Sequence, residues 1–216
     1  MIISPGRRYI FVHAPKTGGT AMALALEARA MKDDILAGDT AKAQRRKRRL
    51  AGLGTARRLT KHSVLAELDG YLSPEELRGY FVFMLVRNPW DRMVSYYHWL
   101  RAQNFRHPAV DLARQLDFAG FLEHPQNQAA LRASPYGQYV RDAAGAERCD
   151  LFIRIEHLAA DIEPLQTHLG FPLDDIPHVN RSRREADYRG YYTDKTRDLV
   201  ADFCGEDIER FGYRFG

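Results

Sequence analysis

The stretch FVHAPKTGGTAMA, residues 11–23, decides the fold of this 216-residue chain. The apolar run that ends at Val12 has the aromatic and β-branched composition of a strand. Pro-Lys-Thr-Gly-Gly-Thr follows at residues 15–20, and a helix-forming run, AMALALEARAM, begins directly after it. A strand that passes through a glycine-rich turn into a helix is typical of phosphate-binding loops in α/β proteins.

The turn combines three kinds of anion ligand. Gly18 and Gly19 allow a tight turn and a close approach of the backbone to a ligand. The following helix directs unpaired N–H groups and the positive end of its dipole into the turn. Thr17 and Thr20 add hydroxyl donors, and Lys16 adds a positive charge. The turn is not a Walker A motif, because Lys16 precedes the glycines; an ordinary strand-to-helix turn with a surface lysine is the alternative.

Strand-then-helix order repeats along the chain. Apolar strand-like runs occupy residues 8–14, 80–86 and 150–156, and helical periodicity follows them at 19–31, about 90–101 and about 157–169. Strands that are apolar on both faces belong to sheets covered on both sides. We therefore predict a single α/β domain over residues 1–216, with a mostly parallel central sheet flanked by helices on both faces.

Two further helices are indicated by their first residues. LSPEEL, residues 72–77, places a serine cap before a proline in the first helical position. The stretch 191–213 reads as a C-terminal helix that starts near Thr193.

The composition excludes several classes of protein. Apolar residues make up 45% and charged residues 28% of the chain, which is ordinary for a soluble globular protein. The apolar run FVFMLV, residues 81–86, is far too short to span a membrane, and the N-terminus has no signal-peptide pattern. Cys149 and Cys204 are isolated in the sequence, so we expect a reducing, cytoplasmic setting.

Positive charge is concentrated in one segment. Residues 42–61 contain nine Lys or Arg and no acid; because the whole chain has a net charge of +4, the remaining residues sum to −5. A basic insert on a mildly acidic body predicts an anionic partner. The alternative is a solvated loop or helix face.

The second strand–helix junction is LVRNPWDRMVSYYHWL, residues 85–100. Arg87 ends the strand and Asn88 is placed to cap the helix, with Pro89 in its first position. Asp91 is placed at the third position, as in a capping box.

One face of the second helix carries polar groups. Arg92, Ser95 and Trp99 share this face by their i, i+3, i+7 spacing. A guanidinium at Arg87 and the Ser95 hydroxyl two turns along the helix are suited to grip a second phosphate.

Together, the two junctions resemble the sulfotransferases that use 3′-phosphoadenosine-5′-phosphosulfate (PAPS). PKTGGT is similar to their 5′-phosphosulfate loop, and RNPWDRMVSYY to their 3′-phosphate motif. The resemblance is closest to the carbohydrate-type branch, sulfotransferase family 2, which includes the heparan and chondroitin enzymes. It extends over nearly the whole chain, through KHSVLAEL at 61–68, FIRIEHLAADI at 152–162, HVNRS at 178–182 and the stretch 191–213.

The resemblance implies a P-loop-kinase-like sulfotransferase fold and a donor site without metal. PAPS would be the donor and 3′-phosphoadenosine-5′-phosphate (PAP) the product. Lys16 would reach the oxygen that bridges phosphate and sulfate, where charge develops during in-line transfer. The cofactor-binding residues would be Pro15, Lys16, Thr17, Gly18, Gly19 and Thr20 at the 5′ end, Arg87 and Ser95 at the 3′ end, and Asn180, Ser182 and Arg184 near the nucleotide.

The acceptor hydroxyl needs a general base, and histidine suits that role near neutral pH. His62, in KHSVLAEL, matches a histidine of the resembling enzymes and is the leading candidate. Glu156, at the end of the third strand, is the alternative base; an ion pair with Arg92 or Arg154 is the structural reading of this residue. His13, just before the first loop, is expected to pack or cap.

The resemblance implies a hydroxyl-bearing acceptor, a carbohydrate in this branch. The basic segment, with Arg45, Arg46, Lys47, Arg48 and Arg49, would attract an anionic one. Two rival functions stay open at this stage. One is a phosphoryl transferase on a similar sheet, but this sequence has no Walker A loop and no aspartate in a recognisable Mg²⁺-binding context. A nucleic-acid-binding module would use RRKRR at 45–49 but lacks interleaved aromatic residues. Oligomeric state cannot be read from the sequence.

Overall fold

The computed structural model describes residues 1–48, 59–173, 176–177 and 185–216. They belong to two compact units. The sheet unit comprises Met1–Val86 and Tyr136–Asn180, and the helical unit comprises Arg87–Pro135 and Arg181–Gly216. No described helix is long and apolar enough to cross a membrane.

Five strands form one mixed sheet in the sheet unit. They are β1 (Ile2–Ser4), β2 (Tyr9–Val12), β3 (Ile35–Leu36), β4 (Phe81–Val86) and β5 (Leu151–Arg154), in the order β3-β1-β2-β4-β5. The parallel pairs are β2 with β4 and β4 with β5, whereas β1 pairs antiparallel with both β2 and β3. The three predicted strands are the three parallel ones. The sheet is mixed because two short strands, which the apolar pattern does not reveal, extend it past β2.

The helices, in chain order, alternate with these strands and then continue to the C-terminus. They are α1 (Gly19–Ala28), α2 (Ala41–Arg45), α3 (Pro74–Arg78), α4 (Pro89–Arg101), α5 (Pro108–Gln115), α6 (Phe118–Glu123), α7 (Pro125–Arg132), α8 (Tyr136–Tyr139), α9 (Leu158–Asp161), α10 (Glu163–Leu169), α11 (Asp194–Phe203) and α12 (Gly205–Phe211). Short 3-10 helices cover Leu65–Leu68, Ile155–His157 and Tyr188–Tyr191.

The core of the sheet unit confirms the α/β class. Every residue of β2 is buried, as expected for a strand that is covered on both faces. Phe11 and Phe83, on neighbouring parallel strands, stack at 5.2 Å between ring centroids. They pack with Met22 and Leu26 of α1, so the first predicted helix lies on the sheet where the strand pattern requires cover.

Two predicted helices are divided in the structure. The run at 157–169 splits into α9 and α10, because Pro164 lacks the N–H of a helix interior and is favoured in a first turn. The C-terminal run begins where Thr193 caps α11, as predicted, but a new helix starts at Gly205. Ser73 caps α3 with Pro74 in the first turn, which confirms that boundary.

The helical unit has a core of its own. Trp90, Met93 and Tyr97 of α4 pack against residues of α6 and α11, including Phe118 and Phe203. The Trp90 indole N–H donates to the carbonyl of Arg197 at 3.0 Å. This packing fixes the rotation of α4 and hence the direction of its polar face.

Candidate active site

The turn after β2 holds two residues in the left-handed backbone region. Lys16 has φ +67° and Gly18 has φ +79°. Glycine adopts this conformation freely, but a residue with a Cβ loses roughly 1–2 kcal/mol there. Strain of this kind is concentrated at functional sites, where the surrounding structure enforces it. Lys16, which precedes the glycines, therefore also has a backbone conformation that is unusual for a residue with a side chain.

Thr17 closes the turn from inside. Its hydroxyl donates to the carbonyl of Ala14 at 2.9 Å, and the residue is fully buried. Because a threonine has one O–H, that proton is not available to a ligand. The expectation that the Thr17 hydroxyl binds an anion is corrected here; Thr20, which is half-buried, keeps that role as a prediction.

The start of α1 is open for an anion. Gly18 occupies the N-cap position, and among the described residues no side chain caps this helix. The first N–H groups of a helix have no acceptor inside it. Together with the helix dipole they form a site for phosphate or sulfate oxygens.

His13 explains the glycine at the first position of α1. A Cβ at Gly19 would lie 2.1 Å from Cδ2 and 2.3 Å from Nε2 of the His13 ring. Gly19 was predicted to admit a ligand, but the group that lies against it is this imidazole. At Gly18 a Cβ would meet nothing closer than 3.6 Å, so its left-handed φ is the reason for glycine there.

His62 lies beside His13, with the two rings edge to face at 4.8 Å between centroids. Its Nδ1 is 2.8 Å from the carbonyl oxygen of His13. Because a carbonyl only accepts, Nδ1 carries the proton and Nε2 of the neutral ring carries a lone pair. The sequence-predicted base is thus held in the tautomer that can take a proton at Nε2.

Burial keeps His62 neutral. Desolvation lowers the pKa of His62 to about 4, although the hydrogen bond to the His13 carbonyl opposes this, and the charge of Lys61 lowers it further. Lys61 is anchored on both sides: its ammonium pairs with Asp39 at 2.5 Å, and its carbonyl accepts from the Met1 amine at 2.7 Å. These contacts fix the chain immediately before His62.

The turn after β4 is closed by side chains. Asn88 accepts from the N–H of Trp90 at 3.1 Å, and Pro89 begins the helix, as predicted. Arg87 donates from Nε and Nη2 to one carboxylate oxygen of Asp91, at 2.8 and 2.6 Å. Asp91 was expected to complete a capping box; the structure shows it holding the Arg87 guanidinium.

The polar face of α4 is largely buried. Arg92 is 7% and Ser95 5% exposed, whereas Trp99 is half-buried and stacks on Tyr96. The Ser95 hydroxyl makes no hydrogen bond to a residue in the described ranges, so it can accept a ligand partner. Arg87, 15% exposed, presents a guanidinium that a carboxylate already orients.

A family model described as "Sulfotransferase family" matches residues 1–214 of the 216. The chain belongs to the sulfotransferase family. This membership supports sulfuryl transfer and favours it over the phosphoryl-transfer and nucleic-acid-binding alternatives. A sequence comparison with curated proteins finds no match.

A solved sulfotransferase structure shares the fold. The chain is similar to mouse sulfotransferase SULT7A1 complexed with PAP, with a TM-score of 0.54 and 18% identity over 96% of this chain and 86% of the mouse one. Retinol dehydratase in complex with androsterone and inactive cofactor PAP is more distant, with a TM-score of 0.37 and 12% identity over 80% of this chain and 60% of that one.

The alternative base of this sulfotransferase has a different setting. Glu156 is exposed, in the 3-10 helix after β5. Arg154 donates to both carboxylate oxygens of Asp161, at 2.8 and 2.9 Å. The expected ion pair of Glu156 with Arg92 or Arg154 stays a prediction. Glu156 is exposed to water, whereas His62 is partly buried.

The basic segment divides into exposed and anchored residues. Arg45, Lys47 and Arg48 are exposed at and after the end of α2. Arg46 donates to the carbonyl of Met31 at 2.7 Å, so this arginine has a structural contact. Arg49 lies outside the described residues, as do most of residues 50–61.

Several predicted residues have no described position. Asn180, Ser182 and Arg184 lie outside the described residues, as does His178. Of the remaining histidines, His107 caps α5 by accepting from the N–H of Ala109, a role without a sequence signal. No group of three His, Cys, Asp or Glu side chains in the described ranges is placed to hold a metal ion.

Proposed function

We propose that this chain is a PAPS-dependent sulfotransferase (EC 2.8.2.-) that transfers a sulfuryl group to a hydroxyl of a carbohydrate acceptor. The observation that carries the proposal is the arrangement around the turn after β2. There, a strained Lys16, an uncapped start of α1 and a neutral His62 with a lone pair at Nε2 occur together in a member of the sulfotransferase family.

The residues of the first turn suit the 5′-phosphosulfate. The open N–H groups at the start of α1 would hold its oxygens, as the macrodipole favours. Backbone atoms of Pro15, Lys16, Thr17, Gly18 and Gly19 and the Thr20 hydroxyl would complete the cradle. The bound donor supplies a sulfuryl group on a phosphate leaving group; PAP, its product, is the ligand of the mouse structure that shares this fold.

The residues of the second turn suit the 3′-phosphate. Arg87 donates from a fixed guanidinium, and the Ser95 hydroxyl has no partner among the described residues. Charge-assisted hydrogen bonds of this kind are the strong ones. Asn180 and Ser182 are proposed as further nucleotide contacts from the sequence alone.

Lys16 and His62 would carry the chemistry. In an in-line displacement, negative charge grows on the leaving oxygen, and an ammonium placed there stabilises the transition state more than the ground state. His62 would accept the acceptor hydroxyl's proton at Nε2, because Nδ1–H is held by the His13 carbonyl. The resulting imidazolium keeps that hydrogen bond and delivers its proton to water afterwards.

An anionic carbohydrate is the proposed acceptor class. The exposed side chains of Arg45, Lys47 and Arg48 offer positive charge at low structural cost. Such a surface raises the local concentration of an anionic acceptor and is sensitive to salt. The proposal includes Arg49 by sequence and leaves Arg46 a partly structural role.

An acceptor screen with radiolabelled PAPS tests the proposal. Sulfated and carboxylated oligosaccharides, neutral sugars and simple alcohols should be offered in parallel, with Lys16→Ala as the matched control. We expect label on a carbohydrate hydroxyl that the control transfers at least a hundredfold more slowly. No transfer to any acceptor, together with tighter binding of ATP–Mg²⁺ than of PAP, would overturn the proposal.

A further inference from the structure

The ring of His13 has no assigned task. Its carbonyl oxygen orients His62, but neither ring nitrogen is hydrogen-bonded to any residue in the described ranges, and the residue is only 6% exposed. A ring nitrogen that makes no hydrogen bond to the protein is available to donate to a ligand.

Three neighbours fix the direction of this ring. Phe11 stacks on it at 5.7 Å between centroids, with an interplanar angle of 19°. His62 meets it edge to face at 4.8 Å. The Cδ2–Nε2 edge lies against Gly19, where an added Cβ would be 2.3 Å from Nε2. Nε2 is therefore held at the first residue of α1, beside the open N–H groups.

The surroundings also fix the charge of the ring. Burial lowers the pKa of His13 well below 6.5, and the nearby His62, the Met1 amine, Lys61 and Lys16 lower it further. No carboxylate is among the groups that shift it. The ring is neutral at physiological pH and has one N–H to donate, and the positive charges of Lys61 and Lys16 nearby favour an anion.

We propose that His13 belongs to the anion site, where its Nε2–H donates a hydrogen bond to the 5′-phosphate of the donor. This inference rests on the proposed function and adds one residue, His13, to the proposed donor-binding site. One residue then serves both halves of the reaction, since its ring contacts the donor and its carbonyl holds the base. Gly19 is required because any larger residue would displace the ring from α1.

Calorimetric titration of four proteins tests this assignment. PAP and adenosine 5′-phosphosulfate should each be titrated into the wild type, His13→Phe, His13→Gln and His168→Gln. Phenylalanine keeps the stacking and removes the donor, whereas glutamine keeps an N–H near Nε2. His168 is the matched control, because it lies at the opposite end of the sheet, where it stacks on Phe81 and contacts the Arg7 carbonyl.

We expect His13→Phe to weaken both ligands by the same factor, about tenfold or more, because both have a 5′-phosphate. His13→Gln should restore most of the affinity, and His168→Gln should match the wild type. If the wild type binds PAP and His13→Phe binds it equally, His13 only packs and this inference alone is wrong. If the wild type binds neither ligand, the proposed function fails with it.

Histidine ring NMR covers the case in which His13→Phe does not fold. In ¹⁵N-histidine-labelled wild type, the His13 signals are those that disappear in His13→Gln. The Nε2 signal should move on addition of PAP, with the His168 signals unchanged. An Nε2 signal that stays in place at saturation would overturn the assignment.

Discussion

α1 and α4 both follow a parallel strand, but their first turns are built differently. α1 begins behind Gly18 with no side-chain cap among the described residues, and two backbone positions of its turn are left-handed. α4 begins behind Asn88, whose side chain caps it, and the arginine of that turn is held by Asp91. The first turn leaves backbone donors open, whereas the second satisfies its backbone and offers side chains.

The difference separates two tasks. Backbone donors at a helix start do not depend on a side chain and are fixed by the fold, which would suit the end of the proposed donor where charge must be stabilised during reaction. A guanidinium and a hydroxyl suit recognition of a group that does not react. We therefore expect changes in the first turn to affect turnover and changes in the second to affect affinity.

The largest effect is expected at His62. His62→Ala should lower kcat by about 10²–10⁴ and leave PAP affinity unchanged. A base must be unprotonated, so kcat/KM should rise with pH through the pKa of His62 in the free enzyme, which is about 4, and be flat above it. This acid limb should disappear in His62→Ala. Glu156→Gln is the matched control; activity retained in His62→Ala and lost in Glu156→Gln would assign the base to Glu156.

Lys16→Ala comes next, with kcat lowered by about 10²–10³ and a much smaller change in PAP affinity. Lys16→Gly separates the side chain from the backbone. It should lose as much turnover, yet be more stable to unfolding than Lys16→Ala by about 1 kcal/mol, because φ +67° suits glycine. Weak PAP binding with normal turnover would show that Lys16 only anchors the donor.

Ser95→Ala tests the role of the second turn in binding the 3′-phosphate. It should weaken PAP about tenfold and leave adenosine 5′-phosphosulfate, which has no 3′-phosphate, unaffected. Ser95 is the preferred site for this test, because Arg87→Ala would also leave Asp91 without its guanidinium. Calorimetry with both nucleotides measures the difference. An equal loss for both would place Ser95 away from the 3′ end.

The smallest effect is expected in the basic segment. Replacing Arg45, Lys47 and Arg48 by glutamine should raise KM for an anionic acceptor a few-fold and flatten its salt dependence. The melting temperature should stay unchanged, because these side chains are exposed. Adding Arg46→Gln should lower it, since the contact with the Met31 carbonyl is lost. A kinetically silent triple variant would make the segment a solvated surface.

The sequence predicts those features that depend on local pattern. The strands at β2, β4 and β5, the turn at Lys16 and the caps at Ser73, Asn88 and Thr193 follow from apolar periodicity and from residues with strong local preferences. Family resemblance adds His62, which no local pattern distinguishes from the other seven histidines.

Contacts between distant parts of the chain could not be predicted in this way. The hydrogen bond from His62 to the His13 carbonyl joins residues 49 positions apart. The close approach of the His13 ring to Gly19 depends on where α1 begins. The ion pair of Arg154 with Asp161 depends on the turn that follows β5, which no apolar pattern reveals. Strands β1 and β3 are too short, at three and two residues, to show a period.

Thermal unfolding with PAP and with adenosine 5′-phosphosulfate, in a chelator, tests the central claim most directly. A ligand at a hundredfold excess over its dissociation constant stabilises the folded state by about 2.7 kcal/mol. At equal concentrations we expect PAP to raise the melting temperature clearly and adenosine 5′-phosphosulfate much less, because only PAP has the 3′-phosphate that we propose the second turn binds. Equal shifts with both ligands would contradict the division of tasks between the two turns, and no shift with PAP would contradict the proposed donor.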